Sequence, residues 1–298
     1  MTPKKHAYMI TAHKNDLTFY TLLSMLDHPR NDLYIHMDVN NRAFDPESVK
    51  QYVHCSRVYF VPRIHVVWAD YTLTYVKILE LQTAIETGND YAYYHFISGE
   101  DLPIQTQEDI HAFFDANQGK EFVNYEWQEF PYQNRIRYYY FFQDKAGRGR
   151  SLYKWFFRAL DRISVGFQKL FGVWRNPDVP FQKGEGWASI TGEFGAYIWE
   201  HWPEGEKWFK NTIYSDEELF QTFVESSHFK DRLYRPDREN TFDSMMRIID
   251  FKRGDPYVFR ISDWEELRDS SMCWARKFDA RVDAEIIEKL NREYGKKE

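Results

Sequence analysis

Cysteine is nearly absent: 298 residues contain only Cys55 and Cys273, far apart and in no C-x-x-C spacing. That argues against a disulfide framework and against a cysteine-built zinc site. Basic excess is lacking too. The formal net charge is −7, the wrong sign for a general nucleic-acid binder. No uninterrupted apolar stretch reaches the ~18 residues that a membrane span needs. Met1-Thr-Pro-Lys-Lys runs into a strand-like segment by His6, so the expectation is a chain without signal peptide or anchor, intracellular and soluble. The phosphate-cradling G-x-x-x-x-G-K-[ST] loop, G-x-G-x-x-G, H-E-x-x-H and G-x-S-x-G are all missing. The nearest approach to a metal-binding D-x-D is Asp38-Val-Asn40, and a carboxylate at a strand end serves as readily to cap a loop.

What the chain has in quantity is aromatic: 18%, with 10 Trp, 21 Tyr and 24 Phe. Such rings stack on the apolar faces of sugars and bases, although many must serve the core. Short apolar runs alternate with helical periodicity in the first third. Strands are expected over His6 to His13, Asp32 to Asp38, Val58 to Val61 and Tyr91 to Ile97, with helices over Asp16 to Leu26 and Tyr71 to Glu86. This order predicts a mainly parallel α/β sheet, whose ligands bind beyond the carboxyl ends of the strands. His13, Asp38 and the Ser98 to Asp101 turn fall on that edge. Later elements are a helix over Asp216 to Val224, a strand over Met245 to Phe251 and a final helix over Ala284 to Tyr294. Residues 148–175 stand apart, with seven Lys/Arg, the single acid Asp161, and apolar residues at helical spacing. They read as a basic amphipathic arm inserted at about 145–178 in one domain spanning 1–298. The arm either folds onto the domain with its cations in water or rests on an anionic bilayer.

Several segments together resemble the core-2/I-branching β-1,6-N-acetylglucosaminyltransferase family, which includes the peptide O-xylosyltransferases. They are Ala7-Tyr-Met-Ile-Thr-Ala-His13, Ile35-His-Met-Asp38, Val66-Val-Trp-Ala-Asp-Tyr-Thr-Leu73 and Tyr94-His-Phe-Ile-Ser-Gly-Glu-Asp-Leu-Pro-Ile104. Further along come Lys183-Gly-Glu-Gly-Trp-Ala-Ser-Ile-Thr191, Ser215-Asp-Glu-Glu-Leu-Phe-Gln-Thr222 and Ala275-Arg-Lys-Phe-Asp279. The resemblance implies a GT-A type, Rossmann-like fold, a UDP-sugar donor, inversion at the anomeric carbon and no divalent metal. Basic side chains then take the cation's place at the diphosphate. Lys277 matches the family lysine, and Arg260 is the choice for its arginine, with Arg276 and Arg268 kept as alternatives. Ser215-Asp-Glu-Glu218 matches a Ser-x-x-Glu motif whose glutamate is the base. That selects Glu218, with Glu217 as fallback, and Asp216 departs from the proline usual there. Acids at a helix start also complement its dipole.

By position, Thr11, Ala12, His13, Asp38 and Trp68 are expected around the uridine, and Glu126, Arg135, Trp187 and Phe251 around the acceptor. N-acetylglucosamine is the first donor sugar to test and xylose the second. The acceptor is a glycan or lipid-linked glycan. Animal members carry an anchor and several disulfides that this sequence lacks. The expectation is therefore a bacterial-type enzyme of polysaccharide biosynthesis, cytoplasmic or peripheral to the inner membrane. Two other classes stay open: a non-catalytic glycan- or nucleotide-binding module, and a glycoside hydrolase using Glu218 and Asp101.

Overall fold

A computed structural model describes residues 3–126, 132–239 and 241–296. The first two residues, on which the reading of the chain's start rests in part, are outside that set.

Four parallel strands come from the apolar runs: β1 (Lys5–Ala12), β2 (Asn31–Met37), β3 (Arg57–Phe60) and β4 (Tyr91–Ser98). Helix α1 (Leu17–Leu26) begins where the Asp16 carboxylate accepts the Phe19 amide, and α2 (Thr72–Glu86) connects β3 to β4. A short β5 (Asp101–Pro103), α3 (Gln107–Ala116) capped by Thr106, and β6 (Phe122–Val123) follow. The inserted segment forms α4 (Gln143–Ala146) and α5 (Leu152–Leu170). Then come β7 (Ala188–Thr191), α6 (Gly192–Phe209), α7 (Leu219–Glu225), β8 (Arg247–Ile249), α8 (Trp264–Arg268), β9 (Trp274–Arg276) and α9 (Ala284–Tyr294).

The main sheet has six strands in the order β3-β2-β1-β4-β7-β6. Its β1–β2, β1–β4 and β2–β3 pairs are parallel, and the β4–β7 and β6–β7 pairs antiparallel. Strand β1 is covered on both faces. Tyr8 and Ile10 enter one apolar cluster with α1 and α9, while Ala7 and Met9 enter another with α2, α6 and α7. That alternation is the two-residue period of a strand between two helical layers. The expected mainly parallel α/β class is therefore what forms. A three-stranded sheet, β5-β9-β8, ties the C-terminal third to the Ser98 turn.

The layers enclose titratable groups, and burial sets their behaviour. It pushes His6 down to about 3, His36 to about 4 and His111 to about 2. It pushes the carboxyls of Glu80 and Glu121 up to about 8 and about 7. As pH falls below ~6.5, the unfolded chain takes protons that the folded histidines refuse, so stability drops. As pH rises above ~4.5, the unfolded chain sheds protons that the folded carboxyls keep, so stability drops in that direction until both folded groups ionise. Between those limits the two trends oppose each other. The melting temperature is therefore expected to fall from about pH 6.5 to about pH 8.5, and Glu80→Gln to flatten that fall while changing the melt at about pH 5 far less. Parallel curves for both proteins in thermal melts across this range would contradict the assignment.

Candidate active site

The carboxyl ends of β1, β2 and β4 open into a cavity of about 1410 Å³. Ligand pockets commonly measure ~300–1,000 Å³, so this one has room for two substrates side by side. Its floor is set by register. Thr11 lies opposite His36 on β2 and Ser98 on β4, and the Asp38 amide donates to the Ala12 carbonyl at 2.8 Å. Gly99 can pass this floor because it has no side chain: a Cβ there would meet the Ala12 Cβ at 2.9 Å. Thr11 Oγ1 donates to buried Glu80 at 2.8 Å, which fixes its rotamer.

All five residues expected at the nucleotide, Thr11, Ala12, His13, Asp38 and Trp68, line the cavity. Asp38 accepts the backbone amides of Asn40 and Val66, each at 2.8 Å, so its carboxylate also shapes the loop. Asn40 contacts His65 instead of joining it. Trp68 is 45% exposed, with Tyr214 edge-on at 5.2 Å.

The cationic side comes from the small sheet. Lys277 lines the cavity, and no acid pairs with it among the described residues. Its neighbour Arg276 also lines the cavity but is held in place. It donates to Asp101 Oδ1 at 2.7 Å and to Ser98 Oγ, and stacks on Trp187 at 4.3 Å. Arg260, the arginine expected at the diphosphate, does not line the cavity. Extended backbone alternates its side chains, and with Phe259 buried in the core Arg260 faces outward. Arg268 is likewise remote from the lining and pairs with Glu265 and Asp269. Among the described residues, the cations that line the cavity without an acid partner are Lys252 and Lys277; the sequence offered no signal for Lys252.

The residues expected at the acceptor are in the same cavity. Glu126, Arg135, Trp187 and Phe251 all line the cavity, and Phe251 is 44% exposed. The Arg135 guanidinium lies 4.5 Å from the Tyr132 ring and 4.4 Å from the Tyr214 ring, and donates to Glu217 at 2.9 Å. Lys183 joins Glu126 to Glu217, the latter at 3.4 Å. Asp216 stands 3.7 Å from buried Lys77. Gly184 packs against backbone, since a Cβ there would run into the Asn124 carbonyl, and Gly186 leaves room for the Lys77 ammonium.

Glu218, the expected base, lies behind the cavity surface. It is fully buried, does not line the cavity, and neither of its carboxylate oxygens has a hydrogen-bond partner. It sits at the joint between the turn Ser215–Glu217 and α7, whose first four residues are all buried, so its side chain follows them inward. Burial, then the charge of Glu217, holds its carboxyl far above the usual range. Glu217, one residue earlier, reaches the cavity. Asp101, the other acid of the hydrolase reading, is also fully buried and paired with Arg247 at 3.3 Å and Arg276 at 2.7 Å, which removes that carboxylate pair. The sequence reading also passed over Glu185, within the quoted Lys183-Gly-Glu-Gly-Trp segment. Its carboxyl lines the cavity and is pushed up to about 7 by burial and by Glu217. In sequence, aromatic stacking by Trp187 is a more visible signal than one acid among many.

Known proteins resemble this chain over most of its length. The family model "Branch: Core-2/I-Branching enzyme" matches residues 6–281. Xylosyltransferase 2 of Rattus norvegicus is 22% identical over 317 residues, covering 96% of this chain and 33% of that protein. Beta-1,3-galactosyl-O-glycosyl-glycoprotein beta-1,6-N-acetylglucosaminyltransferase 3 of Ovis aries is 20% identical over 313 residues, covering 95% of this chain and 66% of that protein. The chain thus spans about a third of the length of the xylosyltransferases it matches. Among solved structures, mouse xyloside xylosyltransferase 1 in its apo form aligns with a TM-score of 0.37 at 10% identity, over 92% of this chain and 97% of that one.

Proposed function

The chain belongs to the core-2/I-branching enzyme family, and on that premise we propose that it is an inverting glycosyltransferase that moves a sugar from a UDP-sugar to a glycan hydroxyl. One observation carries the reading. A single cavity gathers the strand-end residues Thr11 to His13 and Asp38, the cations Lys252 and Lys277, which no acid pairs with among the described residues, and the carboxylates Glu126, Glu185 and Glu217.

The chemistry follows from that grouping. The acceptor oxygen attacks the anomeric carbon from the face opposite UDP. As the new C–O bond forms, the bond from the anomeric carbon to the diphosphate oxygen breaks. The acceptor proton passes to a carboxylate of the cavity, and Lys277 meets the charge left on UDP. Glu217 takes the base role in this reading, because it is the member of the expected pair that reaches the cavity. Asp38 and Thr11 hold the nucleoside end. The curated relatives are named for xylosyl and N-acetylglucosaminyl transfer, so UDP-N-acetylglucosamine is the first donor to test and UDP-xylose the second. Transfer is proposed to proceed without a divalent cation, with fixed side-chain charge in its place.

A UDP-release assay across UDP-sugars, run with and without EDTA, tests the whole reading. Donor-dependent release that survives chelation is expected. Loss of release in chelator would transfer the diphosphate role to a metal, and binding of UDP with no release from any donor would favour a non-catalytic module.

A further inference from the structure

Helix α5 has its polarity reversed for a helix lying on a protein. Its two buried residues are polar, Asp161 and Gln168, with Phe157, Leu160 and Val165 half-buried beside them. Asp161 accepts the amides of Phe141 at 2.9 Å and Phe142 at 3.2 Å, while Gln168 exchanges hydrogen bonds with the Tyr139 backbone, each at 2.8 Å. The outward face is apolar. Leu152 is 88% exposed, Trp155 63%, Phe156 53%, Ile163 55%, Phe167 57% and Leu170 77%. Positions 152, 156, 163, 167 and 170 recur at the three-, four- and seven-residue spacings of one helical face. A continuous apolar stripe of this kind on a soluble surface marks a contact.

Charge identifies what it contacts. Arg148 and Arg150 precede the helix, and Arg162 and Lys169 flank the stripe; all four are exposed. Arg150 and Arg162 pair with no acid among the described residues, in a chain whose net charge is −7. A two-fold contact between copies would press like charges together, whereas an anionic lipid surface complements both the cations and the apolar stripe. No helix among the described residues is long and apolar enough to cross a membrane, which leaves a helix lying in the plane of the headgroups. We infer that α5 is a membrane-docking helix that seats the protein on an anionic bilayer through its outward apolar face.

Its position gives the docking a use. Arg148 lines the cavity and stacks on Trp68 at 5.6 Å, and Gln143 donates to the Trp68 carbonyl at 3.3 Å, so the arm forms part of the cavity rim. On the transferase reading, docking would present the cleft to an acceptor glycan carried on a lipid.

The full chain is expected to sediment with vesicles of phosphatidylglycerol and phosphatidylcholine, far less with phosphatidylcholine alone, and to be released by about 1 M salt, where screening is short-ranged. Arg150→Gln and Arg162→Gln should each lower partitioning about fivefold. Phe156→Ser/Phe167→Ser should lower it by about tenfold or more with an unchanged melting temperature, since both rings are outside the core. Absence of binding to anionic vesicles, or binding unchanged in these variants, overturns the inference. So does light scattering that finds a dimer dissociated by Phe156→Ser/Phe167→Ser while vesicles capture nothing. None of these readouts depends on sugar transfer, so their failure would leave the transferase reading intact.

Discussion

Lys277→Ala is expected to lower kcat for UDP-sugar turnover by about 10²–10³-fold, the usual cost of removing one preorganised group from a developing anion. Lys252 shares the cavity without an acid partner among the described residues, but the arginines beside Lys277 are committed elsewhere. Arg276 is committed to Asp101, Ser98 and the face of Trp187. Arg253 is tied to Asp250, Asp263 and Glu266. Lys277 faces the cavity without an acid partner among the described residues, so its charge is available when the diphosphate departs. The loss should appear mainly in kcat, because charge on the leaving group grows toward the transition state. Arg260→Ala, outside the cavity, should leave both kcat and KM close to those of the parent. Steady-state UDP release decides the matter. A Lys277→Ala protein within threefold of the parent, or an Arg260→Ala protein as damaged as that expectation, would remove the assignment.

The split between Lys277 and Arg260 shows what a sequence can and cannot convey here. Strand ends were legible, since β1, β2 and β4 are apolar runs and ligands collect beyond the carboxyl edge of such sheets. His13 and Asp38 followed from that edge, and Thr11 and Ala12 from the family resemblance. Arg260 was misplaced because spacing along a chain does not tell which way an extended residue points, and buried Phe259 settles it. Helix α6 escaped notice for a different reason. Pro203 lies inside it, and Gly195 and Gly205 serve packing, where a Cβ would strike the Tyr94 and Phe223 rings. Those residues read locally as breakers. The strands β5 and β9 have three residues each, too few for a period to show, whereas β8 lies inside the strand expected over Met245 to Phe251. The arm was legible as an amphipathic helix, yet periodicity gives a helix two faces without saying which looks outward. Buried Asp161 and Gln168 answered that only once the backbone of residues 139–142 was in place.

The cavity carboxylates yield the other large expected effect. Glu217→Gln should lower kcat by about 10²–10⁴-fold, the range for losing a positioned general base, with little change in UDP affinity. A base must reach the hydroxyl it deprotonates, and Glu217 is on the cavity while Glu218 is closed off behind it. Arg135 and Lys183 hold Glu217 from one side, which fixes its direction. Glu218→Gln replaces a buried carboxyl with a neutral group of the same shape, so it should spare most of the rate and raise stability at alkaline pH. That gain grows as pH climbs above ~4.5, where the unfolded chain sheds a proton that the buried, unpartnered carboxyl keeps. Glu185 adds a pH signature. Its carboxyl, at about 7, becomes negative beside Glu217 as pH rises, so kcat/KM should bend near neutrality and Glu185→Gln should remove the bend. Rate–pH profiles of the three glutamine variants separate the roles. If Glu218→Gln abolishes transfer while Glu217→Gln spares it, the buried side chain must turn into the cleft when the acceptor binds, and the base role passes to Glu218.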